Sequence, residues 1–482
     1  NIHKRLVLVV MDKNFYLTTT LPYVNADPHI GAAFEFVTAD IVARHRRLVG
    51  DNVFFNTGAD EHGQKVYTKA LEGNIDPQKY VDEYAEKFKQ LKDTLNLSYD
   101  NFIRTTDEHH KSAAQEFWRQ SLAKGDIYKK LYKTKYCVNC ELEKTDSDLV
   151  EGCCADHPDK ELETIEEENY FFKFSKYQQP LLDLYKENPQ LVIPSFRFNE
   201  IIKFVERGLE DFSISRLKSK MPWGVEVPDD DEHVMYVWFD ALVNYISAIG
   251  WPEDIERFEK WWPVTQFAGK DQVRQQAAMF QAMLFSVGLP PSKQIVIHGF
   301  IMIDGAKMSK SVGNVVNPKE LVEEYGIDAL RYYLARHINP FEDSDFTKDK
   351  FKDAYNANLA NGIGNLTARI MKLAETHLDK PVELPDTQLS EELIGLVESF
   401  EISKAMDLIW EHIGDLDGYI QTEKPFSIIK DDKKKGLELI ENITIKLHAI
   451  AQMLEAILPE TSEKIKNAVL ENKMPETLFA RK

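Results

Sequence analysis

Three segments near the start of the chain decide its architecture: FYLTTTL (residues 15–21), GAAFEFVTADIVARHRRLVG (31–50) and NVFFNTG (52–58). The first and third carry the β-branched and aromatic residues of strands. The middle one has the apolar spacing of a helix that stops at Gly50. Strand, helix and strand within about 45 residues form a βαβ unit, and this implies a parallel sheet because parallel neighbours need a long crossover. Strand signals return in HVMYVWFD and QIVIHGF, each followed by helical pattern, so the α/β sheet resumes after an interruption. Beyond about residue 350 they cease. There ELIENITIKLHAIAQMLEAIL spaces Leu439, Ile443, Leu447, Ile450, Leu454 and Ile457 at helical intervals before Pro459. In QKYVDEYAEKFKQLKDTLNL, Tyr80, Tyr84, Phe88, Leu91 and Leu95 share one helical face, read as core packing.

The 482 residues exceed one ordinary core. The expected division is a leader or remnant over 1–12 with Met11 as a candidate start, and an α/β first half over 13–119. An insertion over 120–222, an α/β second half over 223–305, a loop region over 306–350 and a helix bundle over 351–482 follow. No run of about 18 apolar residues occurs, so no membrane-spanning helix and no membrane partner is expected. A net charge of −20 argues against broad nonspecific binding to nucleic acid, while leaving room for one RNA held by a local basic surface. All four cysteines fall between Cys137 and Cys154, a pattern of metal binding in a reducing, cytoplasmic setting.

The cysteines read Cys137-x-x-Cys140, then Cys154-x-x-His157. Three sulfurs and one imidazole on two short turns suit one tetrahedral structural Zn2+, closed by four protein ligands and so without a catalytic role. Cys153 is left over, since only Cys154 has the right spacing to His157.

Residues 27–35 read DPHIGAAFE. Asp27 as N-cap and Pro28 as first helical residue are sufficient for a helix start. His29 and Gly31 are not needed for it, and a glycine in the first turn costs about 0.5–1 kcal/mol relative to alanine. A nucleotide approaching backbone N–H groups at a helix mouth would compensate. Further on, DGAKMSKSVGN (304–314) follows the strand-like QIVIHGF and presents Lys307 and Lys310 on a loop at the edge where α/β sheets bind ligands.

KMSKS with an upstream HIGH-like motif about 280 residues earlier resembles the double signature of class I aminoacyl-tRNA synthetases. From Asn14 to about Arg481 the chain is similar to the methionyl-tRNA synthetase family, on LPYVNADPHIG, NTGADEHG, the zinc knuckle, DFSISR, YVWFDALVNY, AGKD, VIHGF and GIGNLTAR. The resemblance implies a Rossmann-like catalytic domain with a zinc-binding insertion, followed by an all-α anticodon-binding domain. It implies ATP-dependent activation of L-methionine to methionyl-adenylate, then transfer to the terminal adenosine of tRNA(Met), with Mg2+ accompanying ATP. No appended dimerisation domain is visible, so a monomer is expected.

By the same resemblance His29, Lys307 and Lys310 are catalytic, stabilising charge on the phosphates. Gly31, Ala32, Glu35, Gly269, Asp271 and His298 line the ATP site. Asp60 holds the substrate ammonium, with a helix cap as its plainer reading, and Arg216 supports that pocket. Leu21, Tyr23, Trp238, Ala241 and Tyr245 surround the thioether, where aromatic rings suit a polarizable sulfur. Asn365 and Arg369, four apart on one helix, read the CAU anticodon together with Phe426. Phe212, Leu242, Gln272 and Gln276 complete the methionine pocket by the same resemblance. The departures are Ala32 in place of the second histidine of HIGH, Gln272 and Gln276 where an apolar residue and a histidine are usual, Leu242 for a frequent proline, Phe212 for a frequent tryptophan, and Phe426 for tryptophan. Ala32 leaves two outcomes: slower activation, or another donor in its place. Two rivals follow, namely a synthetase of altered amino-acid specificity and a tRNA-binding paralogue with weak catalysis.

Overall fold

The computed structural model describes residues 14–482 apart from 141, 145–148, 151, 156, 309–313 and 387, and gives backbone only for 132, 134, 142, 143, 165 and 307. The leader expected over 1–12 and Lys310 lie outside the described residues. The chain divides into two compact units. One runs to Asp27 and continues with Gly50–Gln90 and Tyr99–Ile297; the other comprises Pro28–Val49, Leu91–Ser98 and His298–Lys482.

The first unit is built on a six-stranded sheet. Its strands are β1 (Asn14–Thr18), β2 (Asn52–Ala59), β3 (Asn101–Arg104), Val264–Gly269, Gln294–His298 and Val192–Ile193. The spatial order is β3, β2, β1, Val264–Gly269, Gln294–His298, Val192–Ile193. β1 pairs in parallel with β2 and with Val264–Gly269, and β2 with β3. The order reverses between β1 and Val264–Gly269, and this switch point is where such sheets bind ligands, at the carboxyl ends of the strands. Phe15, Tyr16 and Leu17 of β1 are all buried, the continuous apolar run of a strand covered on both faces.

HVMYVWFD is not a strand of this sheet. Asp230–Met235 pairs antiparallel with Ser215–Leu217 and Glu226–Val227, and the chain turns helical at Val237, so Trp238 to Ala241 sit on a helix, Val237–Ala241. The parallel sheet resumes instead with Val264–Gly269, whose Thr265 and Gln266 are fully buried and break the apolar run that marks a strand. Ile127–Cys137 and Glu163–Phe172 form a long antiparallel ribbon leading to the cysteines.

The second unit contains α1 (Ile30–Leu48), a small sheet of Ile301–Ile303, Ala306–Lys307 and Ser344–Phe346, and a run of helices from Pro318 to Glu471. Helix Lys433–Leu454 buries Leu439, Ile443, Leu447, Ile450 and Leu454, the spacing read from sequence, and Pro459 opens the next helix, Pro459–Glu471. Among the described residues no helix is long and apolar enough to cross a membrane.

Candidate active site and metal centre

The start of α1 corrects the expected cap. The N-cap is His29, not Asp27, and the helix begins at Ile30. The Gly31 N–H donates to Nδ1 of His29 at 3.1 Å. In a neutral imidazole that accepts at Nδ1, the proton resides on Nε2, so the cap sets the tautomer of the side chain assigned to phosphate. A Cβ on Gly31 would lie 2.9 Å from Cε1 and 3.0 Å from Nδ1 of His29, and 3.3 Å from Cε of Met308. Glycine is required here because the capping imidazole folds over it.

Both feet of the lysine loop reach the same helix end. Met308 lies against Gly31, and the Ile30 N–H donates to the Val316 carbonyl at 3.0 Å. The backbone of Lys307 lies in the strand Ala306–Lys307. In the second turn of α1, Glu35 Oε2 meets His298 Nε2 at 2.8 Å, and His298 Nδ1 faces the Gly299 carbonyl at 2.7 Å. Both ring nitrogens of His298 therefore face oxygen atoms. Ala32 is half-buried beside these groups on α1.

In the first unit the segment after β1 pairs with the residue after β2. Tyr23 bridges Asp60, the Asp60 N–H donates to the Pro22 carbonyl at 2.9 Å, and the Val24 N–H donates to the Asp60 carbonyl at 3.1 Å. The cap reading of Asp60 is set aside, since the next helix, Gln64–Glu72, has Gly63 at its N-cap. Tyr23 and Trp238 pack against the cluster of Tyr136, Tyr236 and Val237. Buried Arg216 stacks over Tyr236 at 4.4 Å and Tyr136 at 5.1 Å, while Nη1 donates to Ser213 Oγ and the Ser215 carbonyl. Leu21 packs with Ile103 and Ala248; Ala241 and Leu242 are buried. Half-buried Phe212 packs against the rings of Phe172 and Phe174.

The two unusual glutamines are held. Gln266 Nε2 donates to Gln276 Oε1 at 2.8 Å, and Gln276 Nε2 to Gln272 Oε1 at 3.4 Å. Gln266 in turn accepts from Ser292 Oγ at 2.7 Å. Gln276 sits in a π-helical turn, Gln275–Met279, one turn before Phe280, whose ring meets Tyr245 edge-on at 5.2 Å. Gly269 ends its strand, and exposed Asp271 lies in the turn that follows.

Cys137, Cys140, Cys154 and His157 each bring one ligand atom within 4.8 Å of the others. Cys140 Sγ is 3.4 Å from Cys154 Sγ and 3.2 Å from His157 Nδ1; Cys137 Sγ is 3.8 Å from His157 Nδ1. Those edges suit a tetrahedron with metal–sulfur bonds of about 2.3 Å. Cys153 is outside the cluster.

In the second unit, Asn365 opens the helix Asn365–His377, exposed, with Arg369 one turn along. Arg369 Nη1 donates to Asp417 Oδ1 at 2.5 Å, and Gln421 donates to the other oxygen of Asp417. Asp417 escaped sequence reasoning because it lies 48 residues from Arg369. Phe426 is 46% exposed, an open ring face for stacking.

The model of the family "tRNA synthetases class I (M)" matches residues 15–164 and 157–371. A methionine–tRNA ligase of Thermotoga maritima is 42% identical over 470 residues, covering 94% of this chain and 74% of that protein. One of Rickettsia bellii is 39% identical over 472 residues, covering 94% and 92%. The solved structure of Mycobacterium tuberculosis methionyl-tRNA synthetase in complex with methionyl-adenylate superposes with a TM-score of 0.89 at 33% identity, covering 97% of this chain and 98% of that one.

Proposed function

The chain belongs to the methionine (M) family of class I tRNA synthetases, and on that premise we propose how its residues divide the work of a methionine–tRNA ligase. The methionine carboxylate attacks the α-phosphate of ATP, the bond to the β-phosphate breaks, and pyrophosphate leaves with methionyl-adenylate formed. A ribose hydroxyl of the terminal adenosine of tRNA then attacks the acyl carbon, and AMP leaves. Catalysis of this kind is positioning plus charge stabilisation. His29 donates from Nε2 to phosphate oxygens, and Lys307 and Lys310 add positive charge; Mg2+ enters with ATP. Glu35 and His298 hold one another beside that mouth. Asp60 takes the substrate ammonium, and Tyr23, Trp238 and Tyr245 form the walls for the thioether. Asn365, Arg369 and Phe426 meet the anticodon, with Arg369 exchanging its hold on Asp417 for the bases.

The observation that carries this reading is the helix mouth: a tautomer-fixed imidazole at the N-terminus of α1, with both feet of the lysine loop against the same turn. Pyrophosphate exchange measured across the twenty amino acids tests it. Methionine should give the strongest signal, and a stronger one with leucine or cysteine would mean that Gln272 and Gln276 have changed the specificity.

Ala32→His is expected to leave the activation rate unchanged or raise it, by at most the 10²–10³-fold worth of about one oxyanion-type donor. A collapse in rate would show a site built around a small residue.

The four-ligand cluster we assign to one structural Zn2+ per chain. Metal analysis should return one zinc. Cys137→Ala should lose it and loosen the ribbon Ile127–Cys137, read as new proteolytic cleavage there; a metal-free, fully folded protein would contradict the assignment.

A further inference from the structure

A second polar cluster lies in the first unit, and the roles assigned above do not use it. Asp240 is fully buried, and each of its oxygens meets a different imidazole: Oδ2 lies 2.5 Å from His62 Nδ1, and Oδ1 lies 2.8 Å from His110 Nε2. His62 is 2% exposed and His110 not at all. The chain of contacts continues from His110 Nδ1 to Ser247 Oγ at 2.9 Å. A consistent assignment follows. His62 carries its proton on Nδ1 and His110 on Nε2, both donate to the carboxylate, and the Ser247 hydroxyl donates to His110. Burial pushes the Asp240 carboxyl up, but the two imidazoles outweigh it and hold it down to about 2.

A buried charge of this kind is poor value as a stabiliser, since an apolar replacement of equal volume is often neutral or better. Its position suggests another use. His62 stands two residues after Asp60, on the turn whose backbone is zipped to Pro22 and Val24. Asp240 stands two residues after Trp238 and one before Ala241, on a five-residue helix. Ser247 ends the short helix that carries Tyr245. The far side of the turn is held as well. Trp223 Nε1 donates to the Glu61 carbonyl at 2.7 Å, its ring meets His62 edge-on, and the Glu61 carboxylate binds Arg104 at 2.6 Å.

We propose that the His62–Asp240–His110 clasp is a positioning device for the amino-acid site, fixing the Asp60 turn against the Trp238–Ala241 helix so that the ammonium-binding carboxylate and the wall of the side-chain pocket keep one separation. This rests on the assignment of Asp60 to the substrate ammonium. The clasp touches no substrate; it acts through Asp60.

The test is a double-mutant cycle in pyrophosphate exchange with full-length protein, reading KM for methionine and for ATP separately. Asp240→Asn keeps the shape but cannot accept from both imidazoles. It should raise KM for methionine about ten- to a hundredfold, the cost of misplacing a binding group by an ångström or less, and change KM for ATP by less than about threefold. In an Asp60→Asn background the same substitution should do almost nothing further, because the two act in series. Should Asp240→Asn unfold the chain, a second pair decides. His62→Leu should raise KM for methionine likewise, and His62→Asn, whose side-chain N–H falls near the position of Nδ1–H, should recover most of it. Additive effects in the cycle, parallel losses for ATP and methionine, or equal behaviour of His62→Leu and His62→Asn would each overturn the clasp while leaving Asp60 in place. An Asp60→Asn variant with unchanged KM for methionine would remove the assignment of Asp60 itself, and the clasp's role with it.

Discussion

Gly31→Ala is expected to lower methionine-dependent pyrophosphate exchange by about 10²–10³-fold, the usual worth of one preorganised donor to developing charge. The substitution adds a single methyl group inside a helix, where alanine is ordinarily favoured over glycine by about 0.5–1 kcal/mol. Loss of the cap offsets that gain by a similar amount, so the thermal midpoint should change little while activity collapses. That opposition comes from the cap: the added Cβ would press into the His29 imidazole at 2.9–3.0 Å, so the ring must swing away. It then loses the N–H from Gly31 that sets its tautomer. His29→Ala should match the loss, and the double variant should be no worse than either single one, since both remove the same donor. Exchange rates for the four proteins decide it. A Gly31→Ala enzyme of parental activity would mean that the imidazole does not work from its capping position.

Arg331→Leu is expected to destabilise the second unit by about 3–5 kcal/mol, the cost of stripping one partner from a buried charge. Arg331 is fully buried in helix Ile327–Arg336. Its Nη2 lies 2.8 Å from Asp40 Oδ2 in α1. Nε donates to the Ile457 carbonyl at 2.8 Å, Nη1 to that of Leu95 at 3.0 Å, and Nη2 to that of Ala456 at 3.2 Å. The leucine would leave those three carbonyls without their donor and Asp40 with only Arg44 and Ser98. Because this node fastens the helix that presents His29, partial loss of exchange activity should accompany the loss of stability. A fall in the unfolding midpoint of roughly 10 °C is the readout. Replacing both partners, Arg331→Leu with Asp40→Leu, should recover part of it.

The same node carries a pH dependence. Burial pushes the Asp40 carboxyl up, and Arg331, Arg44 and Ser98 more than offset it, leaving it below the ordinary carboxylate range. A depressed carboxyl contributes stability that is complete above the unfolded value, about 4, and fades as pH falls through the folded one. The second unit should thus hold its midpoint to about pH 4 and lose it below, and Arg331→Leu, which removes the main cause of the depression, should leave a smaller acid-dependent loss.

What the sequence disclosed was what short spacing encodes. The βαβ start, the helical interval of Leu439 to Leu454 and the two cysteine turns each lie within a few turns of chain, and the structure has them where they were expected. The misses share a different character. Val264–Gly269 went unread because buried Thr265 and Gln266 interrupt its apolar pattern. Trp238 and Phe239 have the aromatic composition of a strand, yet they sit in a helix that begins once Asp230–Met235 has paired. His29 is not a usual capping residue, so the sequence favours Asp27, whereas the Nδ1 contact puts the cap at His29. The Asp417 partner of Arg369, the Asp40 partner of Arg331 and the two imidazoles on Asp240 are separated in sequence by 48, 291, 178 and 130 residues, and local pattern holds no trace of such pairs.

The central claim is that this chain joins methionine to the tRNA that reads AUG, and aminoacylation measures it directly. With ATP, Mg2+ and labelled methionine, a tRNA bearing the CAU anticodon should become charged at its terminal adenosine, and the same tRNA with an altered anticodon should be charged far more slowly. A CAU tRNA that is bound but never charged, or that is charged with another amino acid in preference to methionine, would contradict the account.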